Sequence, residues 1–307
     1  MRQSYRAHFL VVLLGSLLAT PAEAQTDYSK VDIRAVELAG GLYAMFGAGG
    51  NMALLIGDEG AVLVDDQFAP LVPKIRSAIA LLTEKPVRFV INTHWHFDHT
   101  GGNEAFGGTG SIIVAHENTR RRMSTDQIVD FFNIPTPASP KAALPVITFT
   151  QDLQLHLNGQ DIEAIHAKNA HSDSDVLLFF RQANVIHTGD VFVNGNFPFI
   201  DMGSGGSIDG VIAACAILLA RSDEKTQIIP GHGPMANRQD LQAWCTMLTT
   251  VRDRVAAAIR NGLTLQQVLV KRPSAEFDQV YGNGMMKPDI WLQRVYTDLR
   301  RAIVPAR

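Results

Sequence analysis

The feature that most limits how this chain can fold is a nearly continuous apolar run, Val87–Asn92 (VRFVIN). It ends without a spacer in Thr93-His94-Trp95-His96-Phe97-Asp98-His99-Thr100-Gly101-Gly102-Asn103. An apolar run of this length predicts a strand buried on both faces, so the sheet carrying it must be covered on both sides. The residues just beyond it are the opposite of a core sequence, with three histidines and one aspartate inside six positions. Imidazole and carboxylate are the ligands of zinc and similar divalent ions. A His-x-His pair leaving a strand can close on one ion, and the Asp-His pair just beyond can close on a second. Gly101-Gly102 permits the tight backbone path this requires. The whole chain has 10 histidines, so composition alone does not account for the cluster.

Three further positions fit the same chemistry. His171 lies in the polar turn Asn169-Ala170-His171-Ser172-Asp173-Ser174-Asp175, before an apolar run at Val176–Phe180. Asp190 closes His187-Thr188-Gly189-Asp190, directly after Asn184–His187. His232 sits in Pro230-Gly231-His232-Gly233-Pro234, directly after Gln227–Ile229. Sites collect at strand ends in α/β sheets. The set now holds five histidines and two aspartates, enough for two ions with a shared carboxylate.

The rest of the chain predicts α/β organisation. From Val31 to Val64, short β-rich runs broken by glycines at 40–41, 47–50 and 57–60 read as an antiparallel meander. Pro70 to Leu82 has helical spacing, with Val72, Ile75, Ile79 and Leu82 on one side. A strand is expected at Ser111–Ala115 and a polar helix from Glu117. Residues 124–145 carry Pro135, Pro137, Pro140 and Pro145, which disfavour a long regular element. That segment is either a loop or short helix lying over something, in the manner of a lid, or plain surface loop. The second half repeats the pattern, with strands near 146–150, 153–157 and 161–166 and at Val176–Phe180, Asn184–His187 and Gln227–Ile229. Helices are expected at Ile208–Ala220, from Arg238 to Gly262 and beyond Thr264. No low-complexity linker divides the halves, so residues 25–307 are expected to form one α/β domain of two similar halves.

The first 24 residues read as an address. Arg2 and Arg6 precede the apolar run Phe9–Ala19, and Pro21-Ala22-Glu23-Ala24 supplies small residues before a cut after Ala24, the pattern of a secretory signal peptide. The run is short of the roughly 20 residues a membrane span needs. Cleavage would leave 283 residues of formal charge −4, periplasmic or secreted and without a membrane segment. The full chain has a net charge of −3 and no Lys/Arg block, which leaves no electrostatic footprint for nucleic acid. Its 46% hydrophobic residues suffice for a full core and exclude disorder as the main state. Two cysteines are too few for a disulfide scaffold or a thiolate zinc finger. Cys215 and Cys245 both fall in helical stretches, and buried free thiols are the expectation for them, although export would allow a bond.

The order HxHxDH, then His, then TGD, then GHG resembles the metallo-β-lactamase superfamily, over nearly all of the chain beyond residue 24. Val64-Asp65-Asp66 resembles that family's first motif, in which Asp65 would hold the loops of the site. The resemblance implies a four-layer αβ/βα sandwich, two mixed sheets face to face with helices outside and the site at one edge. It implies that His94, His96 and His171 hold one metal, that Asp98, His99 and His232 hold the other, and that Asp190 bridges. The implied cofactor is two Zn2+, or another divalent metal. The implied activity is that of an exported dinuclear hydrolase whose metal-bridging hydroxide opens a lactam, lactone or related ester or amide bond of a small molecule, with Asp98 as the catalytic carboxylate. Zinc β-lactamases with cysteine in the fourth motif usually carry a lysine three residues later. This chain has Asp190 and Val193 at those two positions, a pattern closer to lactonases and thioester hydrolases. The alternatives are a thioester hydrolase of the glyoxalase II type, a single-iron oxidoreductase similar to persulfide dioxygenases, or a metal-stabilised binding protein without turnover. Phe46, Trp95, Phe97, Phe131, Phe132, Phe197 and Phe199 are candidate pocket walls, although the sequence places only Trp95 and Phe97 near the ligands. His116, His156, His166 and His187 lie outside the motifs and are expected to be structural.

Overall fold

The computed structural model describes residues 27–129 and 131–303, so the expected leader lies outside the described residues. The meander forms as β1 (Arg34–Glu37), β2 (Leu42–Phe46), β3 (Met52–Leu55) and β4 (Ala61–Val64), paired antiparallel in chain order. Helix α1 (Val72–Ala80) comes next and buries Val72, Ile75 and Ile79, three of the four positions its spacing marks. Strand β5 (Val87–Ile91) then adds parallel to β4. Its first three residues are only partly covered, so burial on both faces holds for Val90 and Ile91 alone. The turn of helix α2 (Phe97–Thr100) and the short helix α3 (Asn103–Gly108) lead to β6 (Ile112–His116) and α4 (Glu117–Met123). Strand β6 pairs parallel to β5.

Residues 124–145 contain a small hairpin of β7 (Gln127–Val129) and β8 (Ile134–Thr136). Strand β9 (Ile147–Phe149) then completes a seven-stranded sheet in the order β1-β2-β3-β4-β5-β6-β9. The second sheet starts with β10 (Asp152–Leu157), β11 (Gln160–His166), β12 (Val176–Phe180) and β13 (Val185–His187). After helix α5 (Ile208–Ala220) it gains β14 (Gln227–Ile229), parallel to β13, and the edge strand β15 (Ala236–Asn237). The chain ends in α6 (Arg238–Arg260), α7 (Leu265–Lys271), α8 (Asp278–Tyr281) and α9 (Pro288–Ile303).

Period-two alternation assembles the layers. Leu42, Ala44, Ala53, Leu55, Val62 and Val64 turn inward and meet Ile162, Ala164, Val176, Leu178 and Phe180 of the other sheet. Their neighbours Met45, Met52, Leu54 and Leu63 turn outward against α1. On the second sheet Leu177, Phe179, Ile186 and Ile228 turn outward against α5, α6 and α9. The result is the expected four-layer αβ/βα sandwich. No helix among the described residues is long and apolar enough to cross a membrane.

Cys215 and Cys245 are joined in a disulfide, which corrects the expectation of free thiols. Each cysteine lies on its helix's buried stripe, beside Val211 and Leu218 on α5 and beside Leu241 and Leu248 on α6. The stripes face one another and bring the two Cα atoms to 6.0 Å, within disulfide reach. The sequence places each thiol inside but says nothing of their facing. Non-reducing mass spectrometry of the native protein is expected to show no free thiol. Replacing both cysteines with serine is expected to lower unfolding stability by about 2–4 kcal/mol, given the 30-residue separation, read as an earlier chemical-denaturation midpoint.

Candidate metal centre

The site is built at the edge where the strands of both sheets release their loops. Asp65-Asp66-Gln67 leaves β4, Thr93 to His99 leaves β5, Asp190 comes after β13, and His232 after β14. Strand β12 runs antiparallel to β13. Its entry loop, with His171, therefore reaches the same edge.

All seven residues named from the sequence come together. Ligand atoms of His94, His96 and His171 lie within 4.8 Å of one another, as do those of Asp98, His99 and His232, and of His94, His99 and Asp190. Asp190 stands between the first two groups. Its Oδ1 is 3.2 Å from His99 Nε2 and 3.4 Å from His232 Nε2, and its Oδ2 is 3.8 Å from His171 Nε2. His94, His99 and His171 are buried. Asp98 and His232 keep 22% and 35% of their side chains exposed, so these two form the open side of the cluster.

Neighbouring groups decide which nitrogen each imidazole offers. His96 Nε2 donates to Asp201 Oδ2 at 3.0 Å, and His171 Nδ1 donates to the Phe199 carbonyl at 2.8 Å. His99 Nδ1 donates to Asp65 Oδ2 at 2.8 Å. His94 Nδ1 donates to Thr93 Oγ1 at 3.1 Å, whose own hydroxyl donates to Asp65 at 2.7 Å. Each of these imidazoles therefore turns a lone pair inward, as metal-binding histidines with fixed outer partners do. His96 Nδ1 faces His171 Nε2 at 2.9 Å and His94 Nε2 at 3.1 Å. Lone pairs crowded this closely repel unless a cation or proton sits between them. Asp190 Oδ1 is buried and has no hydrogen-bond partner among the described residues. The donor set and this orphaned oxygen fit divalent ions held by His94, His96 and His171 and by Asp98, His99 and His232, with Asp190 between them.

Electrostatics obey the same logic. Burial holds His94 well below the ordinary imidazole range and brings His171 down to about 4. Burial also opposes charge on His232, but Asp190 and Asp98 push it up to about 10. Protons there take the place that a cation would fill, so ligands must lose protons as metal enters.

Close packing leaves little freedom around the cluster. A Cβ on Gly50 would lie 2.0 Å from the His99 ring, and one on Gly231 would lie 2.1 Å from Asp190 Oδ1. Asn51 ties the two halves together, its side chain donating to the carbonyls of Pro230 at 2.8 Å and Gly233 at 2.9 Å. Its own carbonyl accepts from His187 Nε2 at 3.0 Å, which gives His187 the structural role expected of it. His116 and His166 stack on each other 3.7 Å apart, away from the ligands.

A cleft of about 450 Å³ opens from the exposed side of the cluster. Of the seven aromatic residues named from the sequence, Phe97, Phe132, Phe197 and Phe199 line it, and Phe46, Trp95 and Phe131 do not. Trp95 packs behind His96, 4.7 Å between ring centroids, as part of the core. Phe131 backs Phe199 at 5.7 Å, and Phe46 packs among the core residues between the sheets. Sequence reasoning missed Phe68, Val129, Ile134 and Met285 in the lining. It also missed Asp201 and Asn51, which have no motif spacing to mark them. The hairpin at 127–136 does lie over something, because Val129, Phe132 and Ile134 wall this cleft. Substituting Asp201→Asn is expected to weaken metal binding by about 10–100-fold, measured by chelator competition, with little change in fold.

Comparisons with known proteins bear on the family and the fold. The 2,4-dinitroanisole O-demethylase subunit alpha of Nocardioides sp. strain JS1661 is 28% identical over 145 residues, covering 45% of this chain and 40% of that protein. A hydroxyacylglutathione hydrolase of Polaromonas sp. strain JS666 is 25% identical over 150 residues, covering 48% of this chain and 49% of that protein. The chain thus spans less than half the length of these curated relatives. Among solved structures, a double mutant of the sec-alkyl sulfatase PisA1 superposes with a TM-score of 0.66 at 19% identity, covering 89% of this chain and 51% of that one. The DIM-1 metallo-beta-lactamase superposes with a TM-score of 0.58 at 16% identity, covering 72% of this chain and 99% of that one. These two likenesses concern the fold. The family model for the metallo-beta-lactamase superfamily matches residues 46–232, from the end of β2 to the last ligand candidate. The chain belongs to the metallo-beta-lactamase superfamily.

Proposed function

We propose that this chain is an exported hydrolase that uses two zinc ions, or another divalent pair, to open a lactone, lactam or related ester bond in a small molecule. One observation carries the reading: the open side of the ligand cluster, Asp98 and His232, lines the cleft together with Asp190. Divalent metal bound there would supply a water reactive at neutral pH and polarise a carbonyl. Asp98 is placed to hold a proton of the attacking water and return it to the leaving atom. Burial opposes its ionisation, but His99 and His232 overcome this and hold its carboxyl down at about 2, so it is ionised at neutral pH. Phe197 and Phe199 line the same cleft with apolar surface.

Export is supported by Arg2 and Arg6, the apolar run Phe9–Ala19 and the small residues up to Ala24. The pairing of Cys215 with Cys245 agrees with an oxidising compartment. A second reading, thioester hydrolysis of the glyoxalase II type, has support from the Polaromonas relative named a hydroxyacylglutathione hydrolase. A single-iron oxidoreductase use is disfavoured by the complete second ligand group of Asp98, His99 and His232.

Three outcomes are expected. The purified protein carries about two zinc ions per chain, read by elemental mass spectrometry, and hydrolyses one or more of nitrocefin, an acyl-homoserine lactone and a phenyl ester until a chelator is added. Absence of turnover from metal-loaded protein on all three would remove the hydrolase reading. Asp98→Asn lowers kcat by about 10²-fold or more while His94, His96 and His171 still hold metal. Amino-terminal sequencing of the protein recovered from the periplasm or medium begins at Gln25, whereas a chain retained whole in the cytoplasm would contradict export.

A further inference from the structure

We infer that the cleft selects an electrically neutral acyl compound with an apolar arm, and discriminates against carboxylate-bearing substrates; this rests on the hydrolase reading above. The inference comes from what lines the cleft. Phe97, Phe132, Ile134 and Met285 form its outer part and remain 37%, 37%, 36% and 59% exposed. Val129, Phe197 and Phe199 form buried wall. Large apolar side chains left in water around a site favour an apolar occupant, because its arrival removes their surface from solvent.

Charge complementarity points the same way. No lysine or arginine is among the described residues that line the cleft. Arg294 lies behind the aromatic wall, its guanidinium 4.7 Å from the Phe131 ring and 5.1 Å from the Phe199 ring, and donates to the Ile200 carbonyl. Arg122 lies over Trp95 and is paired with Asp173 at 2.7 Å. Val193 adds an apolar side chain to the lining. At the cluster itself, Asp65, Asp98, Asp190 and Asp201 supply four carboxylates, which match the formal charge of two divalent ions. A carboxylate on the substrate's arm would then lie against apolar walls with no lysine or arginine partner, at a desolvation cost that a neutral group avoids. Specificity here takes the form of an unpaired charge imposed on the wrong substrate.

The experiment compares methyl 4-acetoxybenzoate with 4-acetoxybenzoate, two esters that share the scissile acetyl bond and differ in one negative charge. With zinc-loaded protein, kcat/KM corrected for spontaneous hydrolysis is expected to favour the neutral ester by about tenfold or more. Ile134→Lys, at an exposed hairpin position whose folding is checked by thermal unfolding, is expected to narrow that ratio at least about threefold. Equal rates, or preference for the anion, would overturn the inference while leaving the hydrolase intact. If neither ester is turned over, the hydrolase reading has failed on these substrates and binding decides the inference. Calorimetry on the zinc-loaded protein should then give tighter binding of butyrophenone than of 4-phenylbutyrate, and the reverse order would overturn it.

Discussion

The geometry of the site depends on one buried carboxylate. Asp65 is fully buried at the end of β4, and its two oxygens take three hydrogen bonds, from the Thr93 backbone N–H, the Thr93 hydroxyl and His99 Nδ1. A buried charge left without such partners costs roughly 3–5 kcal/mol, so the loop after β5 is held to the path that supplies them. Through Thr93 the same carboxylate sets His94, and directly it sets His99, so one candidate ligand in each of the two clusters is aimed by one residue. Its backbone sits in the left-handed region, at φ 58°. Aspartate tolerates that conformation better than most residues, and here the hydrogen bonds hold it in place.

The sandwich explains why residues so far apart in the chain meet. Strands β4, β5 and β6 are parallel, so their carboxyl ends lie at one edge, and β13 and β14 repeat this on the second sheet. The two edges are joined directly, with Val176 N–H donating to the Thr93 carbonyl at 2.7 Å and Asn51 N–H donating to the Gly231 carbonyl at 2.7 Å. Both ties cross between the halves beside a ligand. Relative movement of the two sheets would open the cluster, and the packed layer of Leu42, Val62, Val64, Leu178 and Phe180 between them resists it.

Much of this is legible in the residues. Helix α5 and strand β14 begin and end where periodicity puts them, and the seven ligand candidates sit at strand ends because each lies just after or before a short apolar run. Strand β5 departs from its pattern: VRFVIN looks continuous, yet Arg88 is exposed and Phe89 half-buried, since composition does not say which end of a strand lies near a sheet's rim. The aromatic residues are the least legible. Trp95 is between two ligands in sequence yet faces the core, because alternation after β5 sends its ring to the back of His96. Met285 and Ile134 reach the cleft from segments with no chemical signal of their own.

The residues alone mark the ligand candidates and the layering. Imidazole and carboxylate groups placed at strand ends, and apolar runs with period two, carry that information locally, within a few residues. Packing in three dimensions had to settle that Cys215 faces Cys245, that Asp201 orients His96, that Asn51 clasps the loop of His232, and that, among the described residues, apolar groups and no lysine or arginine wall the outer cleft. Each of these is a relation between surfaces brought together over 30 to 182 residues of chain, and no local pattern encodes which face meets which.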